Sequence, residues 1–192
     1  FDIKKNWKMA IKLGFRKSTQ TGELSHIRRI KSLLSLPIFF LCLIAGNGAT
    51  SQSIDSLTRR DITFSSEGVL FAATLFSPTD SQVAIVLVHG SGQEKRMTGF
   101  AERVAAHGIT VLTYDKRGVG ESGGIYAGPE VGTNNVDSIN LSLLAKDARA
   151  AVNKLQEVAM DLPVGLVGSS QAGWIIPIAA TLNPSVDFMV VF

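Results

Sequence analysis

The stretch from Leu162 to Gly173 constrains this chain more than any other. Val164 to Val167 is an apolar run of strand length, too short for a helix, and Gly168 ends it. The apolar segment that begins at Trp174 has the composition of a helix. Ser170 is therefore predicted to lie on a tight strand-to-helix turn. Such a turn holds a serine in a strained backbone conformation, beside the unpaired N–H groups of a helix N-terminus.

The letters of this turn come close to the pattern Gly-x-Ser-x-Gly, with one departure. Ala172 occupies the fifth position, and glycine follows one place later at Gly173. Alanine adds only a methyl group, so the turn is still possible. A turn of small residues that leads into a helix without any catalysis explains the same letters, so the rest of the chain has to decide between the two.

The basic character of the chain, with a pI of about 9.1, comes from its front. Residues 1–49 hold nine of the 19 Lys and Arg residues and two of the 16 acidic residues, so the remainder carries a net negative charge. No basic patch for nucleic acid follows from this distribution, and we expect no nucleic-acid partner.

Residues 1–49 have the organisation of a leader with a secretory signal peptide. A basic segment at residues 25–31 precedes an apolar run from Leu33 to Ile44, and small residues follow up to Ala49. The run is short for a membrane span, which needs ~20 residues. We expect an exported protein, periplasmic or extracellular, that meets the membrane only through this peptide; an uncleaved N-terminal membrane anchor is the alternative. The only cysteine, Cys42, lies inside the run.

Residues 50–59 are assigned to a polar linker and residues 60–192 to a globular domain. Two strand-like runs around a turn at residues 65–68 predict an antiparallel hairpin. Alternating strands and helices follow, and fully apolar strands indicate a parallel sheet with helices on both faces. The predicted strands are 61–65, 69–76, 83–88, 109–114, 164–167 and 187–192, and the predicted helices are 98–107, 141–159 and the segment after Gly173.

Three loops are predicted to meet at one edge of this sheet. His89–Gly92, Asp115–Gly124 and Ser170 each follow the C-terminal end of a strand. Open parallel sheets carry their sites at that edge.

With these motifs in order, the chain resembles the α/β-hydrolase superfamily, in particular its serine aminopeptidase-like group. The segments that carry the resemblance are His89-Gly-Ser-Gly92, Tyr114-Asp-Lys-Arg-Gly-Val-Gly-Glu-Ser122 and Gly168-Ser-Ser-Gln-Ala-Gly-Trp174. The resemblance covers roughly residues 60 to 192. It implies a three-layer α/β-hydrolase sheet, here the N-terminal part only, truncated after about six strands and preceded by the signal peptide.

The resemblance also implies a reaction and roles for residues. Ser170 attacks an ester, thioester or amide and forms an acyl-enzyme, and water then releases the acid. The backbone N–H groups of Ser91 and Gln171 form the oxyanion hole. His89, Gly90 and Gly92 shape the supporting loop, with both glycines allowing a close approach to the substrate. The expected partner is a small molecule or peptide with a scissile acyl bond.

The acid and the histidine of a catalytic triad are missing after Ser170. The family order is serine, acid, histidine, whereas the three histidines are His26, His89 and His107. Asp187 is the only acid after the serine, and it begins a strand at the opposite edge. We therefore expect a fragment of a longer enzyme, inactive as it stands. The alternative is a non-catalytic binding module with this fold, in which the alanine at Ala172 and the missing histidine are genuine features of the protein.

Other patterns in the chain do not indicate a cofactor or a metal. Gly118-Val-Gly-Glu-Ser-Gly123 matches a dinucleotide-binding fingerprint, but Gly124, Gly128 and Pro129 forbid the helix that such a site needs. We expect this loop to be structural, with Asp115 and Arg117 bonded to backbone or to each other. No Cys/His cluster suggests a metal site.

Overall fold

A computed structural model describes residues 57–192 of the chain. The predicted leader and signal peptide, and the predicted linker up to residue 56, lie outside the described residues. The elements are β1 Leu57–Ser66, β2 Val69–Pro78, β3 Val83–Val88, α1 Thr98–Ala105, β4 Ile109–Tyr114, a 3₁₀ helix Gly132–Val136, α2 Ser138–Val158, β5 Val164–Gly168, α3 Ala172–Leu182 and β6 Phe188–Val191.

The strands form one sheet of six in the order β1-β2-β4-β3-β5-β6. β1 and β2 are an antiparallel hairpin whose turn, Glu67-Gly68, has positive φ at both residues, as a tight two-residue turn requires. β2 joins β4 in antiparallel fashion, and β4, β3, β5 and β6 run parallel. The predicted hairpin and the mostly parallel sheet are both confirmed.

Each face of the sheet packs against helices, which gives the three layers that the sequence predicts. α2 and α3 cover one face, where Leu144, Ala148 and Leu155 repeat at helical spacing and are buried. α1 covers the other face through Ala101 and Ala105. Side chains on both faces of the central strands are therefore removed from water, as their continuous apolar composition indicates.

Several boundaries differ from the sequence prediction. β1 begins at Leu57, inside the stretch assigned to the linker, because residues 57–60 pair with β2 out to Pro78. α1 ends at Ala105 and not at His107, and Gly108 adopts a φ of 80° just beyond it. α2 begins at Ser138, where the Asp137 side chain accepts the N–H of Asn140 as an N-cap.

The segment after Ser170 is helical, as predicted. Pro177 lies inside this helix, and α3 continues through it to Leu182. Within residues 57–192, no helix has both the length and the apolar character needed to cross a bilayer.

Candidate active site

Ser170 lies on the turn that joins β5 to α3. Its φ of 58° is in the left-handed region, and Glu67 is the only other non-glycine residue among those described with a positive φ. Left-handed backbone is costly for a residue with a Cβ, so the surrounding structure has to impose it. Ser170 is exposed, whereas Gln171 and Ala172 directly after it are buried. The sharp turn expected from the sequence is present, and the serine on it is accessible to solvent.

The loop after β3 lies directly beside this turn. β3 and β5 are parallel neighbours, with Val88 paired to Gly168, so the loops after them begin side by side. A Cβ built on Gly90 would lie 3.6 Å from the Cβ of Ser170. Gly92 has a φ of 99°, which favours glycine. The structure thus brings Gly90 into contact distance of Ser170.

The two predicted oxyanion donors lack acceptors among the described residues: neither the Ser91 nor the Gln171 backbone N–H makes a hydrogen bond there. Three neighbouring N–H groups are used. That of Gly92 donates to Glu130 Oε2 at 2.8 Å, that of Ala172 to the Ser169 carbonyl at 3.1 Å and that of Ser170 to the Phe192 carbonyl at 3.2 Å. Both unpaired donors are therefore near the exposed serine, because Gln171 directly follows Ser170 in the chain and Ser91 lines the same cavity as Ser170.

His89 is buried beneath the loop. Its Nε2–H donates to the carbonyl oxygen of Tyr114 at 2.5 Å, and its ring meets the Tyr114 ring edge-on with centroids 4.6 Å apart. Burial lowers the pKa of His89 to about 4, although the bond to Tyr114 favours the charged form. A neutral ring held in this way anchors the loop to the end of β4.

A buried lysine connects the two loops. Lys116 follows β4 and is only 2% exposed. Its Nζ donates to the carbonyl oxygen of Gly90 at 2.9 Å, to Gln171 Oε1 at 3.1 Å and to the carboxylate of Glu130. Burial lowers the pKa of Lys116, and the hydrogen bond and charge of Glu130 oppose that shift.

Glu130 completes this buried cluster. Besides Lys116 and the Gly92 N–H, it accepts the side-chain N–H of Asn140 on Oε1 at 2.9 Å. Burial alone would raise the pKa of Glu130. The hydrogen bonds from Lys116, Gly92 and Asn140 outweigh burial, so its pKa lies below the usual value.

Asp115 and Arg117 have separate partners and do not pair with each other. Asp115 accepts the backbone N–H groups of Arg96 at 2.7 Å and of Glu121 at 2.8 Å. Arg117 pairs with Asp147 of α2, with 2.9 Å between Nε and Oδ2. The loop after β4 is therefore fixed by its own buried charges, and the prediction that Asp115 bonds to backbone agrees with the structure.

A cavity of about 310 Å³ opens beside Ser170. Apolar side chains of β3, β5 and α1 form one wall, among them Leu87, Val167 and Phe100, and Gly90 and Ser91 lie at its edge. Its volume is at the small end of the range for ligand sites.

A comparison with protein families matches residues 79–192 to the serine aminopeptidase (S33) family of the α/β-hydrolase superfamily. The chain belongs to this family. The match includes the loop after β3, the loop after β4 and the turn at Ser170.

Solved structures of other α/β hydrolases share the fold. A hypothetical protein from Pseudomonas aeruginosa superposes with a TM-score of 0.53 at 25% identity over 71% of this chain and 42% of its own. A cold-adapted esterase from an Arctic intertidal metagenomic library superposes with a TM-score of 0.56 at 16% identity, over 76% of this chain and 64% of its own. Acetyl xylan esterase 1 from Thermoanaerobacterium superposes with a TM-score of 0.54 at 21% identity, over 74% of this chain and 51% of its own. The aligned region of this chain therefore covers between 42% and 64% of these proteins.

Among curated proteins, the quorum-quenching protein AidA of Acinetobacter baumannii is 44% identical over 69 residues. The aligned region is 33% of this chain and 22% of that protein.

Asp187 and His107, the acid and the histidine considered for a catalytic triad, lie far from Ser170. Asp187 precedes β6, and its Oδ2 accepts the N–H of Val164 at the start of β5, 2.8 Å away, so it is at the opposite edge of the sheet. His107 is exposed just before β4, also at the edge where the parallel strands begin. Within residues 57–192, no group of three or more His, Cys, Asp or Glu side chains is placed to hold a metal ion.

Sequence reasoning did not find Lys116 and Glu130. Lys116 stands in the run Asp115-Lys-Arg117, which resembles a solvated charged loop, and Glu130 follows Gly128-Pro129 in a stretch without periodicity. The one available signal was the position of Lys116 two residues after a buried strand, at the edge where open parallel sheets carry their sites.

Proposed function

We propose that this chain is the N-terminal part of a serine hydrolase that cleaves an ester, thioester or amide through an acyl-enzyme on Ser170. The observation that carries the proposal is the exposed, left-handed Ser170 with the unpaired N–H groups of Ser91 and Gln171 beside it. Membership of the S33 family and the esterases that share the fold support the reaction class.

The chemistry assigns one step to each group. Ser170 Oγ forms a bond to the carbonyl carbon, its proton passes to a base, and the carbonyl oxygen becomes an oxyanion that accepts from Ser91 and Gln171. Collapse of this intermediate breaks the bond to the leaving group, which takes the proton. Water then repeats the sequence and releases the acid. One well-placed oxyanion donor lowers the barrier by ~3–4 kcal/mol.

The base and its acid partner are proposed to come from the part of the complete protein beyond residue 192. His89 is committed to the Tyr114 carbonyl, and His107 and Asp187 lie at the other edge of the sheet. The chain spans only part of its structural relatives, which is consistent with a contribution from a later segment.

Labelling with a fluorophosphonate tests the proposal on the complete gene product. The reagent reacts only with an activated serine, so we expect mass spectrometry to find the adduct on Ser170. Ser170→Ala should abolish labelling, whereas Ser169→Ala, which alters the adjacent residue on the same cavity wall, should retain it. A wild-type protein that is not labelled would refute the hydrolase and favour the alternative of a non-catalytic binding module.

We also propose that the protein is exported, on the strength of the basic and apolar segments before residue 50. Cell fractionation of a C-terminally tagged full-length protein tests this. Replacing two leucines of the run Leu33–Ile44 by arginine should retain the protein in the cytoplasm. Cytoplasmic location of the unaltered protein would refute export, and a membrane-bound product of uncleaved mass would favour the anchor.

A further inference from the structure

The buried pair of Lys116 and Glu130 contacts both sides of Ser91. Lys116 Nζ donates to the carbonyl oxygen of Gly90, and Glu130 Oε2 accepts the N–H of Gly92. These groups belong to the two peptide units that flank the Ser91 Cα. We propose that Lys116 and Glu130 are positioning residues that aim the Ser91 N–H into the oxyanion hole. This inference rests on the proposed function.

The peptide bond between Gly90 and Ser91 explains how a lysine can aim an N–H group that it does not touch. The Gly90 carbonyl and the Ser91 N–H share one planar unit. Among the described residues only the Gly128–Pro129 bond is cis, so here the two groups point in opposite directions. Fixing the carbonyl on Lys116 therefore directs the N–H away from the lysine. A cation at the carbonyl also polarises the peptide, which makes its N–H a stronger donor.

Glu130 restrains the next peptide unit. Its carboxylate takes the Gly92 N–H, so this glycine, with a φ of 99°, cannot turn its own N–H toward the substrate in place of Ser91. Asn140 on α2 holds the other carboxylate oxygen. The loop is thus connected to the first turn of a long helix.

Lys116 also reaches the second proposed donor residue. Gln171 Oε1 accepts from Lys116 Nζ at 3.1 Å, and Gln171 Nε2 donates to the Asn135 carbonyl at 3.0 Å. The Gln171 side chain is therefore fixed at both ends and is 1% exposed. The ammonium group of Lys116 therefore bridges the loop at residues 89–92 and Gln171, the two segments that supply the proposed oxyanion donors.

The chain contains a matched control for this cluster. Arg117, next to Lys116 in the sequence, forms a second buried ion pair with Asp147, and Asp147 makes no hydrogen bond to Gly90, Gly92 or Gln171. Glu130→Gln and Asp147→Asn each convert one buried carboxylate to the amide. Both should lower stability, because each leaves a buried cation without its partner charge. Only Glu130→Gln should disturb the loop at residues 89–92, which carries the Ser91 N–H.

The experiment measures fluorophosphonate inactivation of the complete gene product, as the maximal rate kinact and the half-saturating concentration KI, per folded protein. Phosphonylation places charge on an oxygen in the same hole. We expect Glu130→Gln to lower kinact by about tenfold to a hundredfold with KI nearly unchanged. Asp147→Asn should leave kinact within about twofold, since it removes no contact to the hole. Amide exchange of Gly92 should accelerate in Glu130→Gln only.

Asn140→Ala tests the same cluster with a smaller change, in case Glu130→Gln fails to fold. Asn140→Ala removes one hydrogen bond to Glu130 and keeps the ion pair, so kinact should fall by a smaller factor. Equal kinact for Glu130→Gln, Asn140→Ala and wild type, or an equal fall in Asp147→Asn, would overturn the positioning role while labelling of Ser170 still supports the hydrolase. Absence of labelling in the wild type would overturn both.

Discussion

A Cβ built on Gly168 would lie 2.6 Å from the Cβ of Ala172 and 2.6 Å from the carbonyl oxygen of Val88. Real Cβ atoms do not approach that closely, so the methyl group of Ala172 depends on the absence of a side chain at Gly168. Ala172 is fully buried. The departure from Gly-x-Ser-x-Gly at the fifth position is thus accommodated at the first position, and the turn keeps its shape.

Gly168→Ala should therefore damage the turn. The added methyl group has no space between Val88 and Ala172, and overpacking of this kind costs about 1–3 kcal/mol in the free energy of unfolding. We expect urea denaturation to show that loss and fluorophosphonate labelling of Ser170 to fall. Ala172→Gly is the control: it restores the family pattern, costs about 0.5–1 kcal/mol as a glycine in a helix, and should retain labelling.

The double variant Gly168→Ala/Ala172→Gly separates the two clashes. It relieves the contact with residue 172 but leaves the contact with the Val88 carbonyl, so stability should recover only in part. A strictly additive loss would show that the close approach of residues 168 and 172 does not govern the turn, and full recovery would show that the contact with the Val88 carbonyl contributes nothing to the loss.

The left-handed backbone of Ser170 predicts an unusual order of stabilities. Ser170→Gly should be more stable than Ser170→Ala by about 0.5–1 kcal/mol, because relief of about 1–2 kcal/mol of strain exceeds the entropy cost of glycine. Both variants lack the nucleophile and should be unlabelled. At Ser169, whose φ is not positive, the order should reverse. Thermal or urea unfolding of the four variants measures this, and the same order at both sites would contradict strain at Ser170.

The elements buried on both sides could be predicted from the sequence almost to the residue. Val83–Val88 is apolar throughout and Ile109–Tyr114 is apolar apart from two buried threonines, because both faces of these strands are covered, and their ends coincide with β3 and β4. α2 was visible because its buried side chains repeat every three or four residues. The start of β1 was not, because Leu57–Arg60 is a polar stretch at the sheet edge whose strand form depends on pairing with β2.

The parts of the candidate site also differ in how well the sequence alone predicts them. Ser170 and the segment 89–92 could be located because local spacing places them at strand ends. The Lys116–Glu130 pair could not, because its members are separated by an irregular segment and meet only in the folded chain. The partner of Arg117 was missed for the same reason, since Asp147 lies 30 residues away on α2.

The buried His89 predicts loss of stability at acidic pH. The pKa of His89 is about 4 in the folded state against a usual value of 6.5, so between these values the unfolded chain binds more protons. Stability should therefore rise with pH across this window and lose about 3 kcal/mol in total by its lower end. His89→Gln, whose amide can still donate to Tyr114, should lack this component. If unfolding at pH 5 and pH 7.5 gave the two proteins the same pH dependence, neutral burial of His89 would be refuted.

Gly120 in the loop after β4 and Gly132 at the start of the 3₁₀ helix have similar backbone conformations but should respond differently to alanine. Gly120 and Gly132 have φ values of 59° and 56°. A Cβ on Gly120 would lie 2.4 Å from Asp115 Oδ2, whereas one on Gly132 would meet nothing within 4 Å. Gly132→Ala should thus lose only the left-handed strain of about 1 kcal/mol.

Gly120→Ala should lose that amount and more, because the methyl group displaces the Asp115 carboxylate from the N–H groups of Arg96 and Glu121. A buried donor left unsatisfied costs about 1–3 kcal/mol, so the difference between the two variants should be at least that of one such bond. Urea denaturation of both proteins measures it. Adding Asp115→Ala to each should remove the difference, since the obstacle is then gone; a difference that persists would place the sensitivity of Gly120 elsewhere than at Asp115.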